Sequence, residues 1–262
     1  MGVRMKFSLI TVTMGDRPAE LRRLKDSLAQ QTFRDFEHIV IDHRDHPELH
    51  GSLSRARNFG LVQATGDVIA FPDDDAWYAP GVLKLVTETL VDPDLDGVSF
   101  RVTDGQGACS VGGWMPAGRM LMCRENIWRT AVSCSFFVRR QAIGSIRFDE
   151  RLGVGSGTRF GSGEETDFLL RMMKAGARLL YDGREAVFHP ILNGRHTPRR
   201  GWLYGNGCGR TLRRHGYTPF RLLWMASLQL VRCAQAMVCL KPRKAVFHLA
   251  MSVGRLAGYL MP

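Results

Sequence analysis

The sequence predicts an α/β fold, a mostly parallel sheet flanked by helices, with a basic helical extension at its C-terminus. Three observations carry that prediction. Short apolar, β-branched runs alternate with segments of helical period through the first hundred residues, which is the pattern of successive βαβ units. Three consecutive carboxylates, Asp73, Asp74 and Asp75, follow the third run directly, at the strand C-terminus where open α/β sheets bind their ligands. No acidic residue follows Glu185, whereas twelve of the 36 Lys and Arg residues lie beyond it, so the net charge of +11 belongs to the C-terminal part.

With 262 residues, 45% of them hydrophobic, the chain is long enough to bury a substantial core. Phe7 to Thr13 reads as the opening strand, and after the break at Gly15 to Pro18 the spacing of Leu21, Leu24 and Leu28 predicts a helix over 20–30. Glu37 to Asp42 repeats the strand pattern, Ser54 to Ala64 the helical one, and Val68 to Phe71 is a short buried strand ending at the acids. Gly81 to Leu90 reads as a helix and Gly97 to Val102 as a strand, whereas the glycine-rich, aromatic segment from there to Cys134 has no legible register. Ser135 to Val138 is a further strand, and the five glycines from Gly153 to Gly163 mark a loop. Glu165 to Ala175 then reads as a helix ended by Gly176, with acids in its first turn, followed by short strands at Arg178 to Tyr181 and Ala186 to His189.

The chemistry centres on two acidic groups. Packed carboxylates repel unless a cation holds them, and a divalent metal that also grips a phosphate satisfies that need with only one or two carboxylates; the competing reading is a solvated acidic turn. The second group is Glu164, Glu165 and Asp167, which can serve chemistry or simply favour the positive end of a helix.

Taken together, Leu9 to Thr13, the run Ser54-Arg55-Ala56-Arg57-Asn58-Phe59-Gly60-Leu61, Ala64 to Val68 leading to Asp75, Pro80-Gly81, Phe148-Asp149-Glu150 and Gly163 to Leu170 resemble the inverting, nucleotide-sugar-dependent glycosyltransferases of family 2, over roughly residues 7–190. That resemblance implies the GT-A fold over 1–195, with 196–262 as an amphipathic extension serving as lid, acceptor contact or membrane-surface element. It implies transfer of a hexose or deoxyhexose from a nucleoside-diphosphate sugar to a hydroxyl, with Mg²⁺ or Mn²⁺ as cofactor. Asp73 and Asp75 become the metal-side pair of a DxD motif, Asp74 a contact to donor ribose or sugar, and His189 a further metal ligand. Thr11, Asp42 and Arg57 become donor contacts. Glu165 takes the place where the family carries an aspartate base, a departure that leaves Glu164 open as the base. The segment Asp42-His43-Arg44-Asp45 departs from the family's usual pattern, so no nucleotide preference carries over.

Gly201 to Arg210 reads as a glycine cadence opening a basic helix, with Arg199 and Arg200 ahead of it and Tyr204 within it. It fits an acceptor-phosphate cradle or, equally, tight helix packing. Phe220 to Leu240 and Lys244 to Leu260 read as two helices with broad apolar faces and sparse arginines, which suits an anionic membrane surface or, alternatively, packing on the core or on a second subunit. Together with the family resemblance, the tail implies as acceptor a glycan or polyprenyl-linked cell-envelope precursor used in polysaccharide biosynthesis, and the expected location is cytoplasmic, peripheral to the inner face of the membrane. Six cysteines without metal-like spacing, and a start at Met1 to Arg4 that runs straight into the first strand, agree with a reducing compartment. Two other readings rank lower. A nucleotidyltransferase on a similar fold needs a glycine-rich, lysine-containing segment that Thr13 to Pro18 lacks, and a nucleic-acid binder needs aromatics set among the tail's arginines.

Overall fold

The computed structural model describes residues 5–110, 115–191 and 196–261; the start at Met1 to Arg4 lies outside them. The strands are β1 (Phe7–Thr13), β2 (Phe36–Asp42), β3 (Val68–Ala70), β4 (Trp77–Tyr78), β5 (Gly97–Thr103), β6 (Met120–Leu121), β7 (Phe136–Arg139) and β8 (Leu179–Phe188). The helices are α1 (Pro18–Ala29), α2 (Leu53–Gln63), α3 (Val82–Thr89), α4 (Ile127–Thr130), α5 (Arg140–Ile143), α6 (Glu164–Lys174), α7 (Pro198–Arg214), α8 (Pro219–Val238) and α9 (Pro242–Leu260). They form two compact units. One comprises residues 1–50, 55–147 and 168–191, the other 51–54, 148–167 and 192–262. The second unit is thus not the C-terminal segment alone, since the glycine-rich loop and the acidic first turn of α6 also belong to it.

The first unit is built on one sheet of order β2-β1-β3-β7-β5-β8-β4, with β6 added on β8. The βαβ alternation predicts parallel neighbours, and β2, β1 and β3 obey it. Beyond β3 the sheet is mixed rather than mostly parallel: β7 runs antiparallel to both β3 and β5, and β4 and β6 run antiparallel to β8. The reason is that β7 returns antiparallel into the gap between β3 and β5, a pairing that does not need the crossover helix parallel pairing would require. Strands β1 and β3 are almost wholly buried, as expected of apolar strands covered on both faces. Phe71, Phe136 and Phe168 pack in one aromatic cluster, with ring centroids 5.7–6.5 Å apart.

The two short strands expected around residues 178–189 are a single strand, β8. Between them, Arg184 grips the Asp182 carboxylate through Nε and Nη2 at 3.0 and 2.7 Å. A β-carbon at Gly183 would collide with the Ala117 backbone, so the missing side chain lets a neighbouring segment lie against the strand. The irregularity is absorbed by register shifts between Phe100 and Val102 of β5.

The second unit contains α7, α8 and α9 with the loop 148–163. Thr197 caps α7, its side chain accepting from the Arg200 amide, so Arg199 and Arg200 lie inside the first turn and not ahead of the helix. The glycine cadence is a packing surface. Gly201, Gly205 and Gly209, spaced four apart on one face of α7, meet the α9 backbone at Phe247, Met251 and Arg255, and Gly254 and Gly258 of α9 meet α7 in return. Side chains at these points would hold the helices apart, so tight helix packing is what the cadence achieves. Helix α8 packs on α9 through Leu222, Met225 and Ala226, and Ser252 donates to the Ala226 carbonyl at 3.0 Å.

Candidate functional site

Strand register assembles the acidic cluster. Leu9 pairs with Ala70, so the chain leaving β3 continues beside Thr11 to Thr13. Strand β4 begins two residues after Asp75 and pairs Trp77 with Phe188, which brings the residue after β8, His189, alongside Asp75. The His189 amide donates to the Thr103 carbonyl at 2.8 Å and fixes that end of the chain.

Asp74 and Asp75 are only 2% and 4% exposed, an arrangement tolerated only with partners. The Thr13 hydroxyl donates to Asp74 at 2.8 Å, and the Arg17 guanidinium reaches Asp74 at 3.0 Å and also pairs with Asp75. Arg57, buried on α2, lies 3.2 Å from Asp73, and Ser133 donates to the same carboxylate at 3.4 Å. Arg23 donates to the Asp75 carbonyl at 2.8 Å and stacks 3.9 Å over the Trp77 ring, clamping the turn.

His189 Nε2 lies 3.1 Å from Asp75 Oδ1, and its Nδ1 donates to the Pro190 carbonyl at 2.8 Å. Burial opposes the charged imidazolium, but the Asp75 carboxylate, with Asp73 behind it, outweighs that and raises the His189 pKa above its ordinary value. Burial likewise opposes ionisation of Asp75, yet His189 and Arg17 lower its pKa below the usual carboxylate value. At Asp74 the balance reverses: burial wins over Thr13 and Arg17, and its pKa is raised.

Asp73, Asp75 and His189 can each offer one ligand atom, all within 4.8 Å of one another. Two carboxylate oxygens and an imidazole nitrogen suit Mn²⁺ or Mg²⁺ when phosphate and water complete the shell, so the residues present fit the cation that the sequence implies. In a ligating histidine the second ring nitrogen donates to a carbonyl or carboxylate and fixes the tautomer; the Nδ1 bond to Pro190 provides that contact.

The other donor candidates fall at the same end of the sheet. Asp42 ends β2 opposite Thr13 and is held by the Arg44 fork, with Nη2 at 2.6 Å from Oδ2. That hydrogen bond and charge lower its pKa. Thr11 is fully buried and bonded to His38 Nε2 at 3.0 Å. Thr13, two residues on, is the β1 hydroxyl that touches the acids. Thr13, Arg17 and Ser133 are contacts the sequence reading did not identify. An arginine just before the proline that opens α1 was the available signal for Arg17; nothing local marked Ser133.

In the second unit, Gly163 has φ +90°, a conformation that favours glycine, and a β-carbon there would lie 2.5 Å from Thr211 Oγ1. Glu164 and Glu165 follow as the first residues of α6. Glu164 is 6% exposed and fills the space left by Gly153, whose β-carbon would stand 2.8 Å from the carboxyl carbon. Glu165 is half-buried and more accessible. Asp167 is fully buried, 2.9 Å from His215 Nε2 and 3.4 Å from Arg214 Nε, so it ties α6 to α7. Arg200 donates to the Tyr204 hydroxyl at 2.8 Å and lies 4.7 Å over its ring. Burial, reinforced by Glu164 and Glu165, raises the Tyr204 pKa despite Arg200. Arg200 and Tyr204 therefore share the electrostatic environment of the acid pair, while Arg199 is exposed.

Residues 44–146 match the model of glycosyl transferase family 2. The succinoglycan biosynthesis protein ExoM of Rhizobium meliloti (strain 1021) is 28% identical over 207 residues, covering 75% of this chain and 65% of that protein. The chain thus spans just under two thirds of that relative's length. Among solved structures, mannosyltransferase PcManGT from Pyrobaculum calidifontis, in complex with GDP-Man and Mn²⁺, aligns with a TM-score of 0.62 at 15% identity over 97% of this chain and 87% of its own. S. aureus TarS 1-349, in complex with UDP-GlcNAc, aligns with a TM-score of 0.57 at 14% identity over 97% of this chain and 91% of its own. At such identities the structural likeness bears on fold alone, and the sequence likeness to the family lies in residues 44–146. The chain is thus similar to glycosyl transferase family 2 over residues 44–146 and has the GT-A fold.

Proposed function

We propose that this chain transfers a hexose or deoxyhexose, with inversion, from a nucleoside-diphosphate sugar to a hydroxyl of a glycan or lipid-linked cell-envelope precursor. The observation that carries the reading is the convergence of Asp73, Asp75 and His189 at the C-terminal end of the sheet, within a chain similar to this family over residues 44–146. Asp73, Asp75 and His189 would hold Mn²⁺ or Mg²⁺. A cation so bound neutralises charge growing on the departing nucleoside diphosphate. Arg17 and Arg57 keep the acidic cluster compact and offer guanidinium groups for donor phosphate oxygens. Asp42, already oriented by Arg44, serves as acceptor for a donor ribose or base group.

Glu165 is the base that takes the proton from the acceptor hydroxyl as its oxygen attacks the anomeric carbon, because it is the accessible member of the acid pair. Direct attack opposite the leaving diphosphate gives inversion. Arg200 and Tyr204 position an acceptor oxygen or phosphate near that base. The acceptor class agrees with ExoM, named for succinoglycan biosynthesis, and with action at the inner face of a membrane.

The test is thermal stabilisation by nucleoside diphosphates and nucleotide sugars, with and without Mn²⁺, since a ligand selective for the folded state raises its stability. Expected is Mn²⁺-dependent stabilisation by one nucleotide, lost in Asp75→Ala. Stabilisation by no nucleotide, or by one that Asp75→Ala leaves intact, would reject the site.

A further inference from the structure

Helices α8 and α9 carry apolar side chains on the faces they turn away from the rest of their own unit. On α8, Phe220, Leu223, Trp224, Leu230 and Val231 recur at three, four, ten and eleven residues, one stripe interrupted at Ser227, and Phe220 and Leu223 are 77% and 58% exposed. The stripe runs on to Val238 and Leu240, 84% and 88% exposed at the turn into α9. On α9, Val246, Leu249 and Val253 are each nearly half exposed on one face. The inward face of α8 is already supplied by Leu222, Met225, Ala226 and Ala236. A helix apolar on both faces needs a partner for each, and water is a poor one for the second.

Charge identifies that partner. No acidic residue occurs after Glu185, and Lys241, Arg243 and Lys244 stand exposed at the junction of the two helices. A second copy laid face to face would set these cations against their own kind. An anionic surface attracts them and also accepts the apolar stripe. No described helix is long and apolar enough to cross a membrane, so contact along the surface is the geometry available.

We propose that the outward faces of α8 and α9 dock on an anionic lipid leaflet. Both helices lie in its plane, with Phe220, Leu223 and Trp224 below the headgroups and Lys241, Arg243 and Lys244 among the lipid phosphates. This gives the membrane location a specific surface and stands whether or not the transferase reading holds.

The experiment sediments the full chain with vesicles of phosphatidylcholine alone or mixed with phosphatidylglycerol, and follows tryptophan emission with Trp224→Phe as the assignment control. Expected are binding at least tenfold tighter to anionic vesicles and a blue shift absent from Trp224→Phe. Leu223→Ser/Trp224→Ser and Lys241→Gln/Arg243→Gln/Lys244→Gln should each lower binding at least tenfold while circular dichroism and nucleotide-dependent thermal shifts stay unchanged. Equal binding to both vesicle types, or none, would overturn the proposal. So would a lipid-free dimer by light scattering that Leu223→Ser/Trp224→Ser dissolves, because the face would then belong to a second copy. Retained nucleotide shifts alongside lost vesicle binding separate failure of this surface from failure of the catalytic site.

Discussion

Replacing Gly254 by alanine adds one methyl group where α9 lies closest to α7. A β-carbon at that position would stand 2.6 Å from the Trp202 carbonyl oxygen, 3.1 Å from Gly205 Cα and 3.2 Å from the Asn206 amide nitrogen. All three atoms are backbone, so no side-chain rotation relieves them and the helices must separate by several tenths of an ångström. Overpacking of that kind costs about 1–3 kcal/mol or more, whereas glycine to alanine within a helix gains about 1 kcal/mol from propensity. With three backbone contacts the upper end of that cost applies, so the clash wins and the expected net loss is about 2 kcal/mol, equivalent to a Tm about 4–8 °C lower for a protein of this size. Urea and thermal unfolding followed by circular dichroism measure it. Gly118→Ala, in an exposed loop, is the control, because none of the described residues lies within 4 Å of a β-carbon there, and its expected change is near zero. If Gly254→Ala raised the midpoint, as it would in a solvated helix, the close α7–α9 packing and the explanation of the glycine cadence would both be wrong.

Three further outcomes follow from the site. Glu165→Gln should preserve nucleotide-dependent stabilisation while cutting turnover about 10²-fold, as removal of a general base does; full turnover would transfer that role to Glu164. Arg17→Ala leaves Asp74 and Asp75 without their shared cation and should cost roughly 1–3 kcal/mol, below the range for wholly buried pairs because the Arg17 side chain is 29% exposed. Mn²⁺ should restore much of that loss, and an unchanged urea midpoint would show the pair to be energetically idle. Burial, with Lys25 nearby, pushes the His38 pKa down to about 4. The unfolded chain therefore takes up a proton near pH 6.5 that the folded chain refuses, so this contribution is complete above pH 6.5 and is lost as pH falls toward 4. By pH 5 the loss is about 2 kcal/mol, and His38→Gln should flatten the stability profile between pH 7.5 and 5; a profile no flatter than the parent's would assign the acid sensitivity elsewhere.

The sequence by itself determined the local elements whose hydrophobic period and breakers agree. Phe7–Thr13 is the strand its β-branched run predicts, and the helices at α1, α2, α3, α6, α8 and α9 begin and end within a few residues of their predicted bounds. It also marked Asp73 and Asp75 as a candidate pair by type and place, and the family resemblance added His189. What it could not determine was pairing. The return of β7 between β3 and β5, and the fusion of two apparent strands into β8, depend on partners far away in the chain and leave no local period. The glycines of α7 have the same composition whether they cradle a phosphate or admit another helix, and the α9 backbone against them decides between the two. Only tertiary structure brought Thr13, Arg17 and Ser133 to the acids and turned the second apolar face of α8 outward. Local sequence encodes what each residue prefers within a turn or two, whereas the neighbour that satisfies a charge or covers a face is chosen by register and packing across the whole chain.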